Sequence, residues 1–133
     1  MKNKKELIFT TLEKMGFSPE YDDDGDIVVL YQLKHIFIMT NNEDEPYASV
    51  LLPLFNEFEE DQIALVLTVC NKMTRDLKMA KVYIDNNFEG VSASCEFYFA
   101  NKSSLEQSLR HSLEILGVIR TLYRNNLEEM SKD

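Results

Sequence analysis

Residues 63–99 read IALVLTVCNKMTRDLKMAKVYIDNNFEGVSASCEFYF, and the period of this stretch changes halfway along it. Ile63, Val66, Cys70, Met73 and Leu77 recur at the spacing of one helical face, with Asn71 at the edge of that stripe. Lys72, Arg75 and Lys78 gather toward the C-terminal end, where cations complement the helix dipole. The period then drops to two. Residues 81–85 read as a strand, 86–90 as a turn, and 91–100 as a second strand. In that second strand Val91, Ala93, Cys95, Phe97 and Phe99 point one way, and Ser92, Ser94, Glu96 and Tyr98 the other, the signature of a half-buried antiparallel strand.

Upstream, residues 3–15 form a helix pattern in which Ile8, Leu12 and Met15 share a face, stopped by Gly16 and Pro19. Three strands follow at about 27–33, 35–40 and 47–55, the last two separated by the acidic loop Asn41 to Glu45. Pro53 cannot donate to a ladder, so it predicts an edge or a strand end. Residues 56–79 read as a helix with Glu59, Glu60 and Asp61 in its first turn. Ser103, with Glu106 three residues on, predicts the start of a last helix running to about Glu129, followed by a frayed tail over 130–133. The order is α-β-β-β-α-β-β-α, an α+β fold of antiparallel sheet with packed helices, read as a single domain over 1–133.

A chain of 133 residues can bury one core without disulfides. Its formal net charge of −9 repels polyanions, which argues against nucleic acid as a partner. No apolar run reaches the roughly 18 residues of a membrane span. The start, MKNKKELIFTTLEK, turns into an amphipathic helix pattern without the uninterrupted apolar core of a signal peptide. Cys70 and Cys95 sit at apolar positions of different elements, which predicts free buried thiols in a reducing, cytoplasmic setting.

The apolar positions outnumber the faces one small domain needs to hide. On the last helix Leu105, Leu109, Leu113, Leu116, Tyr123 and Leu127 form a core stripe, while Ile115, Val118 and Leu122 form a second stripe on another side. In the early strands Phe37, Met39 and Leu51 oppose apolar neighbours, so both faces of the sheet are apolar. Either the chain's own helices cover these surfaces, or a second copy or partner polypeptide does.

Chemistry is sparse. Glu20, Asp22, Asp24 and Gly25 fall at the first, third, fifth and sixth places of a calcium loop, but Tyr31 stands where the bidentate Glu belongs, so the segment reads as an acidic turn. His35 and His111 are the two histidines, and no local pattern joins either to Cys95 as a nucleophile–base pair. No metal-ligand spacing and no phosphate-binding glycine loop occur, so neither metal nor cofactor is expected. Asn71, a poor helix former, is either an amide satisfying nearby backbone or a ligand contact.

The segment from Val69 through Asn71 to Asp85, and Met15-Gly16-Phe17 before an acidic Asp-Gly turn, resemble the YbjN-like family. The likeness spans nearly the whole chain, with Cys70 where an aromatic often precedes the family's helical Asn. It implies a bacterial cytoplasmic α+β protein with the fold of type III secretion chaperones, often dimeric, without established catalytic residues and loosely described as a sensory regulator. Residues and resemblance together predict a non-enzymatic, homodimeric interaction module that binds a protein or peptide through Ile115, Val118 and Leu122 on the helix and Phe37, Met39 and Leu51 on the sheet. The alternative is a small-molecule sensor using Asn71 and His35 in a pocket between sheet and helices.

Overall fold

The structure is a computed structural model, and it describes residues 3–40 and 44–132. Helix α1 (Lys4–Lys14) leads into strands β1 (Glu20–Tyr21), β2 (Ile27–Tyr31), β3 (Lys34–Met39) and β4 (Tyr47–Glu57). A 3-10 turn (Glu60–Gln62) opens α2 (Ile63–Asp76), followed by β5 (Ala80–Ile84), β6 (Gly90–Tyr98) and α3 (Lys102–Met130). The strands form one antiparallel sheet in the order β1-β2-β3-β4-β6-β5.

Several boundaries differ from the sequence reading, each for a local reason. The turn at Asp22 to Asp26 joins two strands, because the two-residue β1 pairs with β2. Asp22 organises it by accepting the backbone N–H groups of Asp24 and Asp26, each at 2.9 Å. Strand β2 stops at Tyr31 because Gln32 and Leu33 both take positive φ (49° and 68°), a two-residue hairpin turn without its usual Gly or Asn. The acidic residues 59–61 belong to the 3-10 turn, capped by a reciprocal Glu59–Gln62 pair, so α2 itself starts at Ile63. The last helix is capped by Asn101, whose side chain accepts the Ser104 N–H at 2.9 Å while Ser104 Oγ returns to the Asn101 N–H. That box lies two residues before the expected Ser103, and α3 runs through Met130. Residues 41–43 of the expected acidic loop and Asp133 of the tail lie outside the described residues.

Register divides the sheet into two faces. Ile27, Val29, Ile36, Ile38, Val50, Cys95, Ala93 and Val82 line up across the strands, and all are buried under the helices in one core with Ile8, Leu12, Val66, Val69, Leu109, Leu116 and Tyr123. Gly117 lets the β2–β3 hairpin reach α3, since a Cβ there would lie 2.7 Å from the Tyr31 ring. The opposite face carries Val28, Leu30, Phe37, Met39, Leu51, Tyr47, Glu96 and Tyr98, with no described helix over it. The expected excess of apolar sheet surface is therefore real on this side.

Candidate functional site

The open face has an apolar half and a polar half. Phe37 and Leu51 are cross-strand partners and Met39 sits beside them opposite Ser49, so the three predicted sheet residues are brought together, each half-buried. Leu30, 56% exposed, extends the patch toward the hairpin. The polar half centres on Glu96. The Lys81 ammonium pairs with its carboxylate and the Tyr47 hydroxyl donates to it, while Ser94 Oγ lies at 3.4 Å. The hydrogen bond from Lys81, then that from Tyr47, holds the Glu96 carboxyl below its usual range. The same carboxylate pushes the Tyr47 phenol up to about 12.

Both sheet edges are poorly suited to adding a strand. On β5, Thr74 Oγ1 accepts the Val82 N–H at 2.9 Å and lies 3.2 Å from the Val82 carbonyl, so one hydroxyl occupies the outward backbone groups at mid-strand. On the other edge β1 is only two residues long. A segment docking here therefore lies across the face.

Between the apolar half and α3 the sheet splits. The β3–β4 ladder has Phe37↔Leu51 as its last pair, and β4 then shifts register between Leu52 and Asn56 while keeping its pairing to β6. Pro53 causes the split. It lies inside β4, a central strand, and not at the edge or strand end expected for it, and it has no N–H to offer His35 where the ladder would continue. Leu54 completes the departure with φ at 44° and its N–H on Ser92 Oγ. The resulting notch is a cavity of about 400 Å3, with Phe37, Leu52, Pro53, Leu54 and Phe55 as apolar lining and Lys34, His35 and Arg120 as polar lining.

The remaining predicted residues are dispersed. Ile115, Val118 and Leu122 lie on α3, behind the sheet from Phe37. Ile115 and Leu122 pack against the core, so the chain covers part of that stripe itself; Val118 remains 47% exposed beside a cleft formed with Tyr31 and His111. Asn71 is exposed on α2, and it does not line the notch that His35 lines. Cys70 and Cys95 are free and buried, and burial pushes both thiols up to about 11, away from the reactive thiolate. Lys34, Arg120 and Thr74 were not singled out in the sequence. Pro53 within a strand pattern is the one sequence signal that falls at the notch, and it reads as an edge or strand end rather than as a site.

Two solved structures share this fold. YbjN from E. coli superposes with a TM-score of 0.68 at 10% identity, covering 94% of this chain and 93% of that one. A chain of the HopA1–SchA chaperone–effector complex gives 0.61 at 10% identity, covering 90% and 92%. No curated protein matches the chain. Among the described residues no helix is long and apolar enough to cross a membrane. Residues 3–127 match the model described as "T3SS (YopN, CesT) and YbjN peptide-binding chaperone 1", and the chain therefore belongs to this TY-Chap1 family of peptide-binding chaperones.

Proposed function

We propose that this protein is a non-enzymatic, cytoplasmic, chaperone-like module that takes an extended peptide segment across the open face of its sheet and works as a homodimer. One observation carries the reading: all three helices pack on one face, leaving Leu30, Phe37, Met39 and Leu51 as a contiguous apolar patch on the other. Burying that patch supplies the association energy at roughly 25 cal/mol per Å2 of apolar surface. The closed β5 edge and the short β1 favour face docking over strand addition. The acidic surface, at a net charge of −9, keeps the free protein dispersed and discourages strongly acidic partners. The HopA1–SchA structure, one chain of which shares this fold, is a chaperone–effector complex, which supports the same class of role here. Helix α3, with Val118 exposed on the far side of the sheet, is the proposed contact for a second copy.

The test is a peptide-array screen of the wild-type protein against Phe37→Asp and Leu51→Asp. Both positions are half-buried without helix cover, so the variants should keep wild-type helicity and melting while losing captured peptides. Equal capture by wild type and both variants would remove the sheet face from the mechanism.

A further inference from the structure

The notch between β3 and β4 differs electrically from the rest of this acidic molecule. Lys34, His35 and Arg120 border it, and no carboxylate does. Three other clefts each carry one: Glu106 beside α1, Glu114 beside Val118, and Glu96 beside β5. Among the described residues neither Lys34 nor Arg120 is within ion-pair distance of an Asp or Glu, whereas Lys72, Arg75, Lys81 and Arg110 all are. Among the described residues Lys34 Nζ reaches the Gln32 carbonyl alone, at 3.3 Å. Two cations from different elements thus converge on a recess lined by Phe37, Pro53 and Leu54, next to the apolar patch. Apolar walls and partial desolvation strengthen an ion pair relative to one on an open surface.

We propose that this notch is the specificity pocket of the peptide site, and that it takes an Asp or Glu side chain of the bound segment. The inference rests on the sheet-face reading above and adds the chemistry of its ligand. The carboxylate enters through the split between β3 and β4 toward the Arg120 guanidinium and the Lys34 ammonium, which belong to the helix side of the sheet, while the residue two places along the extended peptide rests its apolar side chain on Phe37 and Leu51 of the open face. The surrounding negative charge rejects segments with many carboxylates. The matching ligand is a largely neutral or basic segment with one acid placed among alternating apolar residues.

The experiment uses fluorescein-labelled peptides of about eight residues, enough to cross six strands spaced roughly 4.8 Å apart. Each alternates apolar and polar residues, with Glu, Gln or Lys placed in turn at every polar position. Fluorescence polarisation should show one register at which the Glu peptide binds about tenfold more tightly than its Gln counterpart, a preference that narrows as salt is raised. Combining Lys34→Gln with Arg120→Gln should bring the Glu peptide down to the level of its Gln counterpart measured on the same variant. Combining Lys34→Glu with Arg120→Glu should turn the preference toward Lys. Binding without discrimination between Glu and Gln at any register overturns the acid pocket and leaves the sheet-face site standing. Binding by no peptide overturns the sheet-face site and the pocket with it. The wild-type comparison requires no variant to fold.

Discussion

Glu96 shows how one residue on an otherwise open sheet face is tied down. Its carboxylate collects the Lys81 ammonium and the Tyr47 and Ser94 hydroxyls, and the first two hold its folded pKa below the ordinary value. A carboxyl depressed in the folded state stabilises the protein above the unfolded pKa, about 4.3 for Glu, and loses that contribution as pH falls through the folded value. Glu96→Gln should therefore cost about 1 kcal/mol at neutral pH, a typical net hydrogen-bond contribution. The gap from wild type should close as the solution is taken well below pH ~4. Urea denaturation of both proteins across the acid range measures the difference. Asp85, also depressed and present in both, cancels from the comparison. A gap that stays constant with pH would mean that the network does not act through the Glu96 charge. The network was invisible in the sequence because Tyr47, Lys81 and Glu96 meet only through the pairing of three strands.

At the scale of elements, sequence periodicity located all three helices and five of the six strands. Strand β1 escaped because two residues carry no period. The β2–β3 turn was misplaced because Gln32 and Leu33 adopt positive φ without the Gly or Asn that normally announces it, and this leaves Leu33 91% exposed. The cap of α3 moved because Asn101 and Ser104 satisfy each other's backbone and end the extended segment before Ser103. The closure of β5 was likewise unreadable, since the pattern places Thr74 on a helix and says nothing of which strand edge it meets. Thr74→Val keeps the shape and removes the hydroxyl from the Val82 N–H and carbonyl. It should cost about 1 kcal/mol and leave β5 able to pair with another chain. Light scattering at rising protein concentration should show association of the variant at concentrations where wild type stays dispersed. Unchanged scattering and unchanged stability would mean that water replaces the hydroxyl without loss.

For the whole molecule, the sequence showed that both sheet faces and two helix stripes are apolar, yet it could not say which of them the fold hides. That choice belongs to three-dimensional packing. The helices gather on one face, α3 buries Ile115 and Leu122 partway against the core, and of the six residues predicted as contacts those left uncovered lie on opposite sides, Val118 and the Phe37–Met39–Leu51 patch. Opposed patches allow two copies to join through one while a ligand occupies the other. A two-fold contact through α3 would place Val118 beside the same helix of the second copy, where a buried carboxylate has no partner and is costly. Val118→Asp should turn a wild-type dimer into a monomer in sedimentation velocity, with unchanged far-UV dichroism. The wild-type melting temperature should rise with protein concentration and that of the variant should not, because association stabilises the folded state by mass action. If no second copy docks there, a half-exposed Val changed to Asp should shift stability by no more than about 0.5 kcal/mol. A wild-type protein that sediments as a monomer at every concentration would remove α3 as a dimer contact and leave the sheet-face peptide site as the sole interaction surface proposed for the chain.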